Sequence, residues 1–494
     1  QIPKSAQGKH ITLHFDGAMN NAKVYLNGQL VGHRPNGYIG FTINLSSHLN
    51  YGGDNVVAVK LTPEDLSSRW YPGAGIYRNT WLEINNKIHI PQWGTYITTP
   101  KISAKEADVN LNIEVNNVSK ANRLIVVKSA IYNSQDVIVA SVSDTINAKA
   151  NSLVNLSQST VVSNPKLWDL NTPNLYVAKT MLYDDKGLIE TYHTTFGIRS
   201  IVYNSDSGFK LNNNTTRFQG VCLHHDLGPL GTAVNERATE RQLEIMKRMG
   251  VNAVRTSHNP PSPEQVKLCD AMGIMMQVEA FDVWKKPKVE NDYSKYFEDW
   301  HEQDLRDLIR TYRNNPSVVM WSIGNEIQEQ ADKVNGGRIA KELVAICKDE
   351  DPTRPTTAGF NYYRQPIKNG LAEAVDLVGW NYKPRKYKEV LSEYPQWIVY
   401  GSETSSTVSS RGVYHLPLEK YRLHPSLQIT SYDFIGPPWA YPPDIEFEAI
   451  DSNPRHLGEF IWTGFDYLGE PTPYGGRDNS TNGYWNGHWP ARSS

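Results

Sequence analysis

Cysteine is scarce in this chain: Cys222, Cys269 and Cys347 are the only three among 494 residues. An odd number of cysteines, widely spaced in apolar strand or helix contexts, excludes a disulfide framework and a zinc cluster and leaves them as packing residues. Long hydrophobic runs are missing too. No stretch approaches the roughly 20 apolar residues of a membrane span, so none is expected. Residues 1–9 show no signal-peptide pattern, and the compartment stays unread. Charge of one sign is also lacking, since 50 Lys+Arg stand against 52 Asp+Glu for a formal net charge of -2. Without a global field the chain is not drawn to nucleic acid or to an anionic membrane, and a neutral substrate suits it better. Aromatic residues are present at 11%, and their faces suit sugar rings as well as cores.

Hydrophobic periodicity divides the chain into three regions. From Ile11 to about Asn86 short alternating runs are broken by turn residues, with Ala22–Leu26 followed by Asn27-Gly28, a strong hairpin signal. This predicts a jelly-roll-like β-sandwich over residues 1–94. It opens abruptly on a strand at Lys9 to Asp16, and it is expected to be N-terminally incomplete. A second β-rich stretch, with clean alternation over Val109–Val115 and a turn at Asp184–Gly187, predicts an Ig-like sandwich over residues 95–198. Beyond Ser200 strand-like apolar runs alternate with helical segments, the signature of a parallel sheet wrapped by helices.

Eight candidate strands follow: Phe218–His224, Asn252–His258, Ile274–Phe281, Ser317–Glu326, Thr356–Phe360, Leu377–Tyr382, Trp397–Glu403 and Gly458–Tyr467. Helical spacing falls between most of them, clearest at Glu236–Met249, Ser262–Met272, Phe297–Arg313, Gly337–Lys348 and Lys386–Glu393. The pattern is that of a (β/α)8 TIM barrel over residues 199–494, whose chemistry belongs on the C-terminal ends of the strands. No helical period follows strand eight in Gly469–Ser494, so the barrel domain is expected to be C-terminally incomplete.

Two of these strands deliver an ionisable residue to that rim. Strand four ends on Asn325 and Glu326, and strand seven ends on Glu403. Either glutamate alone is equally well a solvated strand cap. As a pair on strands that face each other across a barrel mouth, they suit glycoside hydrolysis, which needs one carboxyl to protonate the leaving oxygen and another to attack or stabilise the anomeric carbon.

The segments Arg69–Arg78, Gly220–His224, Val254–Pro261 and Trp321–Glu326, in this order, resemble glycoside hydrolase family 2, the β-galactosidase and β-glucuronidase family, and the bacterial β-galactosidases most. The resemblance implies a retaining double displacement with Glu326 as general acid/base and Glu403 as nucleophile. It also implies that Tyr382 hydrogen-bonds the nucleophile, that Arg255 lies buried beside it and lowers its pKa, and that His224, His258 and Asn325 bind sugar. Trp462 matches a tryptophan that floors the sugar site and is often followed by a cis peptide. Strand three runs on into Gln277-Val-Glu-Ala-Phe-Asp282, without the Glu-x-His ligand pair found after that strand in some bacterial β-galactosidases. No cofactor is therefore expected, and dependence on a divalent metal is doubtful.

The family's glucuronidases carry an Asn-x-Lys motif after strand eight, and none occurs between Tyr467 and Ser494. Asp466–Tyr474 instead resembles members that are β-galactosidases. The function expected is exo-hydrolysis of terminal β-galactosides, with a β-glucuronidase, another β-glycosidase of the family, or an inactive carbohydrate-binding protein as alternatives. A carbohydrate substrate is the expected partner, and self-association into a homo-oligomer is compatible with the sequence. The resemblance leaves compartment open, with a bacterial periplasmic or secreted location among the options. The long connection from Thr404 to Leu457 is expected to form part of the aglycone wall.

Overall fold

Alternating burial along the first 200 residues produces two sandwiches, and the change of period after them produces a closed barrel. The computed structural model describes residues 1–407, 409, 411–414, 416, 430–433, 436–437 and 439–468. In the first sandwich, His10–Phe15 pairs antiparallel with Phe41–Asn44 and Thr80–Asn85. Facing it, Ala22–Leu26 pairs with Gln29–Arg34 and Val57–Lys60. Phe15, Val24, Leu26, Phe41 and Ile43 fill the space between the two sheets. The hairpin expected at Asn27-Gly28 is present, with both residues in the left-handed region (φ 51° and 84°), as a two-residue turn matched to strand twist requires.

In the second sandwich the long strand Glu106–Asn117 pairs along its whole length with Ser152–Ser163. Ala107, Val109, Leu111, Ile113 and Val115 all point inward and are buried. The opposite sheet runs Ile138–Ala148, Arg123–Tyr132, Tyr176–Asp184 and Gly187–Phe196. A small antiparallel sheet then intervenes before the barrel (Ile201–Asn204, Gly208–Leu211, Asn214–Thr216). The sequence reading passed over it, because its strands are too short to show a period. Phe209 from this sheet stacks on Phe218, which packs against Phe460, so it plugs the N-terminal end of the barrel.

Eight parallel strands close on one another in sequence order: Phe218–Leu223, Ala253–Thr256, Met275–Glu279, Val318–Asn325, Thr356–Phe360, Leu377–Asn381, Val399–Ser405 and Gly458–Trp462. Strand eight pairs directly with strand one, Phe218 opposite Gly458 and Gly220 opposite Phe460. Closure requires Gly220 to be a glycine, since a Cβ there would lie 2.4 Å from the Phe460 ring. The expected helices form at Glu236–Arg248, Pro263–Met272, Ser294–Tyr312, Gly336–Glu350 and Tyr387–Glu393. The second starts on the Ser262 cap, whose hydroxyl accepts from the Gln265 amide, and stops at Gly273 with φ 68°, in keeping with helix-terminus chemistry.

Strand seven departs from expectation. It runs past Glu403 to Ser405, with an irregular register against strand eight between Gly401 and Thr404, so Glu403 lies inside the strand rather than at its tip. Strand eight ends at Trp462, earlier than the expected Tyr467. A helix, Pro443–Asp451, interrupts the long connection after strand seven; consecutive prolines at Pro442 and Pro443 suit a helix start but read in sequence as loop. All of residues 417–429 in that connection, the segment from Gly469 onward and any barrel-closing helix lie outside the described residues.

The first sandwich is fastened to the barrel. The buried Arg78 donates to the carbonyls of Tyr38, Pro260 and Pro261 at 2.7–2.8 Å, and Arg34 pairs with Asp304 at 2.7 Å and Asp307 at 2.8 Å. No helix among the described residues is long and apolar enough to cross a membrane.

Candidate active site

The barrel mouth gathers every residue singled out from the sequence. Glu403 is 5% exposed, and both its oxygens are engaged. The Tyr382 hydroxyl donates to Oε1 at 2.6 Å, and Arg255 Nη1 donates to Oε2 at 3.0 Å. His258 Nε2 lies 3.6 Å from the same Oε2. Arg255, fully buried, is the hub of this side: it also donates to Glu279, to the Ser402 carbonyl at 2.7 Å and to Asn325 Oδ1 at 2.8 Å. Glu279 takes His258 Nδ1 at 2.7 Å and the Ser322 hydroxyl at 2.7 Å. A buried arginine between two carboxylates is thus nearly saturated with acceptors, the condition under which burying it costs least.

Glu326 stands opposite, at the end of strand four and partly exposed. Asn381 Nδ2 donates to its Oε1 at 2.9 Å, and Ser402 in turn donates to Asn381 Oδ1 at 2.6 Å. Glu326 and Tyr382 both have left-handed backbones (φ 44° and 57°), which non-glycine residues adopt chiefly where the surroundings impose it, often at functional sites. Gly359 on strand five makes the room these side chains need. A Cβ there would sit 3.0 Å from Arg255 Nη2 and from Asn381 Oδ1.

Burial and the neighbouring Glu326 push the Glu403 carboxyl above its ordinary range, while His258, Arg255 and the Tyr382 hydroxyl pull it back. The expected lowering by Arg255 therefore operates but does not win. For Glu279 burial is outweighed by Arg255 and its hydrogen bonds, so that carboxyl is held below its usual range. Burial, Glu403 and Glu326 raise Tyr382 well above the ordinary phenol, which keeps it a donor.

Aromatic rings line the remaining wall. Trp462 stacks on His258 at 5.2 Å and meets His224 edge-on at 5.3 Å, and the Trp462–Thr463 peptide is cis as expected. His224 packs between Trp70 (4.9 Å) and Tyr467 (4.1 Å). Burial, followed by His258 and His225, drives it well below the usual histidine range, leaving a neutral ring.

Several residues here were not anticipated. Arg69 and Trp70 come from the first sandwich, and Arg69 holds Asp282 by two contacts at 2.7 and 3.1 Å. Their signal was the Arg69–Arg78 segment itself, which is neither alternating nor helical. Glu279, Asp282, Lys288 and Asn381 were also missed as site residues, although a carboxylate on the fully buried strand three was a legible cue. Both Asp282 oxygens are occupied by Arg69, one of them by Lys288 as well, so this carboxylate does not fit the role of a metal ligand. Among the described residues no group of three or more His, Cys, Asp or Glu is arranged to hold a metal ion.

Comparisons with known proteins bear on the fold and the family. Residues 88–199 match the family model of glycosyl hydrolases family 2, and residues 202–398 match its TIM barrel domain. The chain is 38% identical to β-galactosidase BoGH2A of Bacteroides ovatus, over 100% of this chain and 61% of that protein. It is 32% identical to a putative β-glucuronidase of Formosa agariphila, over 94% of this chain and 45% of that protein. A crystal structure of a glycosyl hydrolase family 2 member from Bacteroides cellulosilyticus superposes with a TM-score of 0.85 at 31% identity, covering 95% of this chain and 56% of the other. The chain thus spans roughly half to three fifths of the length of these relatives. With both family models together covering more than half of its residues, the chain belongs to glycoside hydrolase family 2.

Proposed function

We propose that this chain carries the active site of a retaining exo-β-glycosidase that hydrolyses terminal β-galactosides. The observation that supports this most is the treatment of the two glutamates: Glu403 is clamped by Tyr382 and Arg255, whereas Glu326 is partly exposed and takes one side-chain amide. In the proposed reaction Glu326 protonates the glycosidic oxygen while Glu403 attacks the anomeric carbon, breaking the bond to the leaving group and forming a glycosyl-enzyme. Glu326, now ionised, takes a proton from the water that releases the sugar. Trp462, His258 and the neutral His224 form the floor on which the ring rests, and Asn325 and Asn381 supply donors and acceptors for its hydroxyls. No metal enters this scheme, since Arg69 and Lys288 already neutralise Asp282.

Galactose is favoured by the relative named as a β-galactosidase and by the absence of Asn-x-Lys after strand eight. The relatives named as β-glucuronidases favour the second reading, a β-glucuronidase. Nitrophenyl β-galactoside, β-glucuronide and β-mannoside decide between them. We expect the galactoside to turn over fastest, with the first-formed sugar β-configured by NMR. Glucuronide preference would replace the sugar, an inverted product would refute double displacement, and no turnover of any β-glycoside would leave a binding module.

A further inference from the structure

Lys288 sits in the connection after strand three with its side chain only 6% exposed. Its ammonium donates to Asp282 Oδ1 at 2.8 Å and to the backbone carbonyl of Asn325 at 2.7 Å. That carbonyl belongs to the peptide linking Asn325 to Glu326. The other end of the same peptide, the Glu326 N–H, donates to the Gly359 carbonyl at 2.8 Å. The peptide is therefore pinned on both sides, immediately before a residue whose φ of 44° demands an imposed geometry. Rotation of this peptide would swing the Glu326 carboxyl away from the barrel mouth, and Lys288 is what blocks it on one side.

Asp282 completes the strut. It accepts from Lys288, from the Asn325 side chain at 3.1 Å and from Arg69, which reaches in from the first sandwich. We infer that Lys288, braced by Asp282 and Arg69, is a positioning residue for Glu326 that aims the carboxyl at the leaving-group oxygen. The inference rests on Glu326 being the acid/base. Charge supports it: burial and Arg69 press Lys288 below the usual lysine range, whereas Asp282 and Glu326 oppose them, so the ammonium and the Glu326 charge sense one another.

The test compares two aryl glycosides of whichever sugar the substrate panel selects, using the full chain. A dinitrophenyl leaving group departs without a proton, and a phenyl group needs one. Lys288→Met should lower kcat/KM for the phenyl glycoside on the order of 10- to 100-fold more than for the dinitrophenyl glycoside, reaching only the lower end of the range assigned to general-acid help. Lys288→Arg should recover part of the loss. Equal losses on both substrates, or none, overturn the inference. Should Lys288→Met fail to fold, Arg69→Met makes the same comparison from the other side of Asp282. Glu326→Ala on the same pair separates the two ideas. If it shows no leaving-group dependence the acid/base assignment fails, and if it does while the Lys288 and Arg69 variants do not, only the strut fails.

Discussion

The two sides of the barrel mouth are built differently. Around Glu403 the side chains are buried and interlocked: Arg255 alone ties together Glu403, Glu279, Asn325 and the Ser402 carbonyl. Around Glu326 one amide touches the carboxyl, and control passes instead through its backbone, from Lys288 and Gly359. A nucleophile must stay in one place and stay ionised through two chemical steps, which rewards preorganised donors. An acid/base must change charge twice in each cycle, so donors fixed for one charge state would penalise the other. Fixing its position through main chain, and leaving its head group free, serves both needs.

The sharpest way to break this contrast is to delete each carboxyl. Glu403→Gln should lower turnover by roughly 10⁴-fold or more, the scale on which removing a member of a catalytic unit acts, and added azide should not restore it. Glu326→Ala should lose on the order of 10²- to 10⁴-fold on a poor leaving group, and azide should partly restore turnover of an activated substrate by taking the open face. Steady-state rates with and without azide report both, and restoration of the Glu403 variant instead would exchange the roles.

A smaller effect is expected from Tyr382→Phe. Losing one hydrogen bond to a charged carboxylate, worth about 1.5–3 kcal/mol, should cost roughly 10- to 100-fold in kcat. The sign of the accompanying pH shift follows from its cause. In the proposed reaction Glu403 acts as the anion, and Tyr382 is one of the groups pulling its already raised pKa down. Without the hydroxyl the carboxyl rises further, so the acid limb of the kcat/KM profile should move to higher pH; a limb that stays or moves lower would show that Tyr382 does not act on Glu403. The least effect should come from chelation. Dialysis against EDTA is expected to leave turnover unchanged, and a loss restored by a divalent cation would contradict the reading of Asp282 as filled by Arg69 and Lys288.

Much of this was visible in sequence where chemistry and periodicity coincide. The sandwich strands alternate because one face of each is buried, and the barrel strands are mostly apolar because both faces are, so Glu326 and Glu403 stood out at the C-terminal ends of such runs. The small plug sheet and the Pro443–Asp451 helix did not announce themselves, being too short to establish a period. Arg69, Asp282 and Lys288 were hidden for a different reason. Arg69 is 213 positions from Asp282, and nothing local marks a charged residue whose partner is supplied by another domain. Lys288 is also the kind of residue that composition assigns to solvent. The position of Glu403 inside strand seven depends on an irregular register with strand eight, a property of the pair and not of either strand.

Arg78 shows what this interdependence means for the history of the molecule. Its guanidinium reaches carbonyls on both sides of a domain boundary, Tyr38 in the sandwich and Pro260 and Pro261 just after barrel strand two, while Arg69 from the same segment holds Asp282. Replacing the sandwich by one that lacks these two arginines would leave the Pro260 and Pro261 carbonyls without their donor and Asp282 without one of its cations. The two domains are therefore expected to vary together at these contacts, so that a chimera works only where the incoming sandwich supplies an arginine at both positions.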